Sequence, residues 1–598
     1  MLNLNKTWFT TKFLWFLYFG SLAFFHIRGD IQKIVFNTEN IIVICLGFFS
    51  LYFLSESFNH ACKSRFMRTF WGIFLIILYY FGIKYHYRTT NSFDYAVFID
   101  NIRDALNPES AKVVAGTFKS KDIWIAVYMI PVLIFLEIWK KIFSKSFVQR
   151  RFTFSGLFLG IYLIGLFNLP YLFEEVSYTV KTGLEYYFGG LEKGEHYKEL
   201  SSKENPFSKE LLSTRERKNP HIFIVALESF NGLYINKKVD GKVITPVMNE
   251  LTKEGLYAKN FYGNSIQTTK GHFSILCSRL PLLRGKASYK VDPSKVDCLP
   301  KELGKIGYES LFFQIYSNLE FDNARAFMKG IGFKHVQAAL PSKLTEKQRN
   351  ENIWGWGIQD DLGYKQYLDS SLEIIKQSEK PLFSMVATIS HHMKFNYIPQ
   401  SQRYIYPGDS GNGRKERYLN SLHLSDKYLG TFIDLLKEKG LYENSLIILT
   451  GDHSFPGGEH GYYSNEMGYN EESFRIPFIA IWKNQIEPQV IDKLAFSQLD
   501  IAPTIYDYLG YNLKIRASGQ SILQATESVA PIVQPYDGLY LGSINWPSKY
   551  VWSKRFNKTV VYNLLEDPME LRPVDIESKE ISILKDTLTV NENTLLTK

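Results

Sequence analysis

Cysteine is scarce, four in 598 residues, which excludes a fold stapled by many disulfides. No internal repeat or low-complexity tract interrupts the chain, so a solenoid is excluded. The net charge of +9 comes without a dense basic cluster in the C-terminal two thirds, and a nucleic-acid partner is not expected. The first apolar stretch lacks a small-residue cleavage site and reads as a retained helix rather than a removed signal peptide.

What the chain has in abundance is aromatic and apolar sequence, unevenly spread: 16% of residues are aromatic, and the length exceeds one ordinary domain. Five apolar windows, at 9–26, 40–54, 69–85, 123–139 and 152–172, have about the length a bilayer requires, roughly 17 to 25 residues with their flanks. Lys6 and Lys12, then Lys63, Arg65 and Arg68, then Lys140, Lys141, Lys145, Arg150 and Arg151 fall on one side, the expected cytoplasmic side. An odd number of spans puts everything after about Phe173 outside. The expected organisation is a five-helix transmembrane domain over 1–175, a linker over 176–218, an extracytoplasmic catalytic domain over 219–575 and a C-terminal tail over 576–598. Helical hairpins buried in a soluble domain are the alternative. Cys277 and Cys298 lie in the exported part, where oxidation is permitted. They are expected to pair, closing a loop of about twenty residues worth about 3 kcal/mol; a buried free thiol at Cys277 is the alternative.

From 174 to 219 the sequence is charged and aperiodic, as a connector would be, and then a β/α alternation begins. The apolar run Ile222 through Leu227 ends at Glu228, and Thr245 and Pro246 open a short helix that stops near Gly255. The polar turn Gly263 through Lys270 follows, with its helix through Leu276. Strands are expected at 310–315, 382–389, 445–449 and 476–482. The clearest helix is 416–439, where Leu419, Leu422, Leu429, Phe432, Ile433 and Leu436 recur at helical spacing. Such alternation predicts an α/β domain, a mostly parallel sheet with helices on both faces. Short strands at 538–542, 549–552 and 559–562 predict a small C-terminal antiparallel sheet, and beyond about Val574 a solvated helix or loose tail is expected.

Thr268 offers a hydroxyl in the polar turn, and a threonine alkoxide forms near neutral pH only when a metal or a base takes its proton. Glu228 follows one buried apolar run, and Asp452 with His453 follows another, Leu446 through Gly451. Open parallel sheets place their sites at those carboxyl ends. Glu228, Thr268, Asp452 and His453 are therefore the candidate metal ligands, a mixed oxygen and nitrogen set that suits Mn²⁺, Mg²⁺ or Zn²⁺. Taken alone, Asp452 reads equally well as a helix N-cap.

Ile224-Val225-Ala226-Leu227-Glu228-Ser229, the Gln267-Thr268-Thr269-Lys270-Gly271 turn, Thr388-Ile389-Ser390-His391-His392, the run Tyr442 through His453, and Arg475-Ile476-Pro477-Phe478 resemble the sulfatase and alkaline phosphatase superfamily. Within it, five spans before an exported domain resemble lipoteichoic acid synthases and the phosphoglycerol transferases of membrane-derived glucans. The resemblance implies an alkaline phosphatase-like domain behind a transmembrane bundle in a bacterial cytoplasmic membrane. It also implies Thr268 as nucleophile, with Thr269 as the alternative, and one divalent cation, Mn²⁺ first. His392 matches the substrate-contacting histidine of the family's Ser-Asn-His segment. Trp356 matches a family tryptophan in a Trp-Gly motif, with Trp354 as rival. Arg325 and His460 are candidates for positive charge around a phosphate, and a surface role is the plain alternative for each.

The reaction so implied moves glycerol phosphate from phosphatidylglycerol to a polyglycerol phosphate or glycan acceptor through a phospho-threonine intermediate. A phosphoethanolamine transferase, or a phosphodiesterase or sulfate-ester hydrolase, is the alternative. No Cys/Ser-x-Pro-x-Arg segment surrounds Thr268, which sets sulfate-ester cleavage back. Lys270 and Gly271 follow the threonine where Gram-positive synthases carry acidic and serine residues, which leaves the acceptor open. A non-catalytic binding protein is disfavoured because all four metal-site residues are present.

Overall fold

The computed structural model describes residues 93–105, 175–354, 357–395, 398–405 and 413–596, with Phe66, Phe70 and Tyr85 as isolated positions. The five apolar windows lie essentially outside these residues. Among the described residues no helix is long and apolar enough to cross a membrane. The chain divides into two compact units, Met1–Gly190 with Tyr536–Gly538, and Leu191–Pro535 with Leu539–Lys598. In the first, the helices Tyr95–Ala105 and Glu175–Phe188 are joined by the Tyr95 amide, which donates to Thr182 Oγ1 at 2.9 Å.

The second unit is built on an eight-stranded sheet. Its strands in chain order are β1 (His221–Leu227), β2 (Leu256–Ala258), β3 (Glu309–Gln314), β4 (His335–Ala338), β5 (Leu382–Ala387), β6 (Ser445–Gly451), β7 (Phe478–Ile481) and β8 (Gln489–Ile491). Across the sheet they run β8-β2-β7-β6-β1-β5-β3-β4. Only β7 is antiparallel to its neighbours β6 and β2, so the sheet is mixed. The connection from β6 explains the reversal. Residues 452–477 enter no strand of this sheet, and the chain re-enters it as β7 from the end where β6 left it.

The central strands are near-continuous apolar runs because both faces are covered. Ile222, Ile224 and Ala226 of β1 share a core with Phe273 and Leu276 of α1 (Thr268–Cys277) and, further along the chain, with Ile501 and Ile505 of the helix Ile501–Tyr508. Phe223, Val225 and Leu227 face the other way, onto Tyr364 and Tyr367 of α2 (Asp360–Ser378) and Leu422, Leu429 and Phe432 of α3 (Arg414–Glu438). Cys277, at the end of α1, is disulfide-bonded to Cys298.

A separate five-stranded antiparallel sheet follows: β9 (Ala530–Gln534), β10 (Tyr540–Asn545), β11 (Ser548–Ser553), β12 (Lys558–Asn563) and β13 (Val574–Asp575). The stretch expected to be a solvated helix or loose tail contains α4 (Lys579–Leu595), a helix whose one face is buried rather than solvated. Ile581, Leu584 and Leu588 of α4 are buried against Val533, Leu541 and Trp552 of the small sheet. Within the stretch expected to be a linker, Ser208–Leu211 pairs antiparallel with Leu513–Arg516, and Leu200 and Phe207 pack on Val590 of α4.

Candidate metal-dependent active site

Three parallel strands lie side by side in the order β6-β1-β5, in a register that aligns Gly451 with Leu227 and Ala387 with Ala226. The ladder continues one residue beyond each flanking strand, since Asp452 N donates to Leu227 O and Thr388 N to Ala226 O, both at 3.1 Å. The residues that follow these strands, Glu228, Asp452 and Thr388, are thereby brought to one end of the sheet. Thr388 Oγ1 accepts from the Glu228 amide at 2.8 Å. Ser229 lies in the left-handed region (φ 54°), a strained conformation for serine. Its amide donates to Asp452 Oδ1 at 3.0 Å and its hydroxyl to Glu228 Oε1 at 2.6 Å, so one strained residue ties both carboxylates together.

One ligand atom from each of Glu228, Asp452 and His453 lies within 4.8 Å of the others, a spacing that one ion can bridge. The carbonyl oxygen of Ser454 stands 2.8 Å from His453 Nδ1, so Nδ1 carries the proton. Nε2 is turned toward Glu228 Oε1 at 3.6 Å and Asp452 Oδ2 at 3.7 Å, where the neutral tautomer presents its lone pair. A backbone carbonyl that fixes the tautomer in this way is what a metal-binding imidazole requires. All three side chains are buried. Burial, with the Asp452 charge next, pushes the Glu228 carboxyl well above the usual carboxylate range. Two buried acids of like charge with an imidazole lone pair between them make a donor set that fits a divalent cation.

The helix that begins at Thr268 packs against this site from far along the chain. Thr268 is the first residue of α1, and Gly271 lies one turn later on the same helical face. A Cβ at Gly271 would overlap the carbonyl oxygen of Asp452, so only glycine lets the first turn of α1 rest on the Asp452 backbone. Gln498 closes the joint: its Nε2 donates to Gly451 O at 2.9 Å and Asp452 O at 2.7 Å, and its Oε1 accepts from Asn264 N at 3.2 Å. His272, four residues after Thr268, is buried in the field of Asp452 and His453. Burial pulls its imidazole down to about 4.

The other candidates separate. His392 follows β5 with Nδ1 2.8 Å from Met393 O, and burial lowers it to about 4 while the charges of His453 and Asp452 also act on it. Its neighbour His391 is fully buried against Phe395 and Tyr418. Sequence reasoning missed Asp360, which opens α2 and accepts the amides of Ile389 at 2.9 Å and Ser390 at 3.1 Å, anchoring the loop that leads to His392. The only signal was its place in the Trp356-Gly357-Ile358-Gln359-Asp360 stretch. Trp356 lies outside the described residues, and Trp354 is described only in its backbone, paired with Gly357. Arg325 is in an exposed ion pair with Glu320 (2.6 Å). His460 has both ring nitrogens engaged, Nδ1 with Glu472 and Nε2 with the Met569 carbonyl. Among the described residues its contacts run to Glu472 and Met569 rather than to the three ligands.

The Sulfatase family model matches residues 220–511, the stretch that contains all four proposed ligands. These residues form a sulfatase-family domain. The chain is similar to lipoteichoic acid synthase of Staphylococcus saprophyticus, with 25% identity over 607 residues covering 94% of this chain and 88% of that protein. It is also similar to lipoteichoic acid synthase-like YvgJ of Bacillus subtilis, 29% identical over 311 residues; that match covers 50% of this chain and spans about half (48%) of the relative's length. Among solved structures, a lipoteichoic acid synthase from Listeria monocytogenes superposes with a TM-score of 0.53 at 22% identity, over 64% of this chain and 94% of that one. A protein of the alkaline phosphatase superfamily from Vibrio parahaemolyticus does so with 0.55 at 21%, over 69% of this chain and 100% of that one. The sulfatase-family domain therefore has the alkaline phosphatase-like α/β fold.

Two outcomes follow. Gly271→Ala forces α1 off the Asp452 carbonyl and is expected to cost about 1–3 kcal/mol of stability and to weaken Mn²⁺ binding; denaturant unfolding and Mn²⁺ titration check both, and wild-type behaviour in both contradicts the packing. For His460, the Glu472 hydrogen bond outweighs burial and holds the imidazole up at about 9, above its ordinary value near 6.5, with Met569 O and Glu570 also favouring the charged ring. A raised folded value means that the pair's stabilisation is fully present below about 6.5 and is lost as pH rises through about 9. The stability gap between wild type and His460→Gln is therefore expected to be widest near pH 6 and to close by about pH 10, measured by denaturant unfolding; a gap that widens with pH contradicts the assignment.

Proposed function

We propose that this protein is a membrane-bound phosphoglycerol transferase that takes glycerol phosphate from phosphatidylglycerol and passes it to an acceptor hydroxyl on a polyglycerol phosphate or glycan. The observation that carries the reading is the meeting of Glu228, Asp452 and His453 at neighbouring strand ends while the helix that starts at Thr268 rests on the Asp452 carbonyl. The similarity to lipoteichoic acid synthase of Staphylococcus saprophyticus over 94% of the chain supports it. The five apolar N-terminal windows keep the domain beside its lipid donor, on the extracytoplasmic side of a bacterial cytoplasmic membrane.

Glu228, Asp452, His453 and the Thr268 hydroxyl would hold one divalent cation, Mn²⁺ in the first place, which when bound lowers the pKa of a coordinated hydroxyl and polarises a phosphoryl oxygen. Thr268 Oγ1 attacks the lipid phosphorus. An Oγ1–P bond forms, the P–O bond to diacylglycerol breaks, and the proton given up to solvent by the Thr268 hydroxyl is matched by one that the departing alkoxide takes from solvent. A phosphoglycerol ester of Thr268 remains, and the acceptor hydroxyl displaces Thr268 from it, so two easier displacements replace one difficult one. His392 serves as a substrate contact. The first turn of α1 adds the partial positive charge of a helix N-terminus beside Thr268.

The test is purified full-length protein with labelled phosphatidylglycerol and Mn²⁺, with and without Thr268→Ala. The expected result is metal-dependent release of diacylglycerol that falls about 10³-fold or more in the variant, together with a phosphoglycerol adduct on Thr268 by mass spectrometry. Undiminished release from Thr268→Ala, or a phosphoethanolamine adduct when both lipids are offered, overturns the reading.

A further inference from the structure

A buried ionic cluster joins the small sheet to the active-site segments. Lys549 of β11 is fully buried, with Nζ 2.8 Å from Glu570 Oε1 and 3.1 Å from Glu471 Oε1. Arg475 donates to Glu471 Oε2 at 3.0 Å, to the Tyr262 hydroxyl and to Asn260 Oδ1. The Glu570 carboxylate also accepts the Glu471 amide at 2.7 Å. Two cations and two carboxylates are thus neutralised out of water, with Glu471 and Arg475 bracketing the helical turn Glu471–Phe474.

That turn is bonded to both halves of the site. Phe474 O accepts from Gly263 N at 2.8 Å, and Ile476 N donates to Phe261 O at 3.0 Å, so the segment entering the Thr268 turn is docked on it. Glu472 O accepts from Ser454 Oγ at 2.7 Å, which docks the residue next to His453. Ser454 is also the residue whose carbonyl sets the His453 tautomer. One short turn therefore spaces the nucleophile segment from a ligand segment, and Lys549, from a sheet that contributes no ligand, fixes it.

We propose that Lys549 is a positioning residue: clamped between Glu570 and Glu471, it holds the Glu471–Phe474 turn in the place that sets the distance between Thr268 and His453. The role assigned to Thr268 rests on the function proposed above; the spacing of the ligand segments does not. Buried cations of purely structural value are replaceable by a charge-balanced apolar pair, whereas residues that orient metal ligands cost about 10–100-fold in affinity or activity when changed.

The experiment compares full-length wild type, Lys549→Met and the charge-balanced Lys549→Met/Glu570→Gln for melting temperature, Mn²⁺ affinity by calorimetric titration, and diacylglycerol release. Lys549→Met is expected to lower the melting temperature by stranding a buried carboxylate. The double variant is expected to recover most of it yet to bind Mn²⁺ at least tenfold more weakly than wild type, with kcat down in parallel and KM within about twofold. A double variant with wild-type Mn²⁺ affinity overturns the proposal, as does a wild type that binds no Mn²⁺. A wild type that binds Mn²⁺ without releasing diacylglycerol counts against the transfer reaction alone, and the affinity comparison still decides Lys549.

Discussion

Glu228 and Asp452 end neighbouring parallel strands, both are buried, and Ser229 holds them together through its amide and hydroxyl. Two like charges brought together away from water repel each other and lose hydration, so one must take up a proton or a cation must stand between them. The upward push on Glu228 expresses that conflict. His453 stands over both acids, with Nδ1–H committed to the Ser454 carbonyl and Nε2 facing the carboxylates. In its neutral tautomer that imidazole adds a nitrogen donor to the two carboxylates, a set that suits a divalent cation.

The rest of the domain serves to make that cage of donors repeatable. Strand register places the acids, Gly271 lets α1 lie against the Asp452 backbone, and Gln498 bonds across the joint. Each contact links segments more than forty residues apart, so the cage exists only in the folded sheet. The reversed strand β7 belongs to the same logic. It lets residues 452–477 form the wall that carries His453, Glu472 and Arg475 before the chain returns to the sheet.

How much of this was legible in the chain depended on the kind of signal. Strands buried on both faces announce themselves as apolar runs, and an acid just after such a run falls where parallel sheets open, which is why Glu228, Asp452 and His453 stood out. Strand direction has no periodicity to betray it, so the antiparallel course of β7 was hidden. The helix Lys579–Leu595 reads as solvated because polar residues separate Ile581, Leu584 and Leu588, whose helical spacing matters only once the small sheet is there to cover them. Gly271 looks like an ordinary glycine until the Asp452 carbonyl arrives beside it. Arg325 and His460 carried the right charge, but a charge in a sequence does not name its partner, and theirs are Glu320 and Glu472.

Crystals of the full-length protein grown with Mn²⁺ and measured at the manganese absorption edge settle whether the cage works. A single anomalous peak is expected, within about 2.3 Å of oxygen atoms of Glu228 and Asp452, of His453 Nε2 and of the Thr268 hydroxyl. An empty cage at saturating Mn²⁺, or a bound ion that leaves Thr268 beyond coordination distance, contradicts the account.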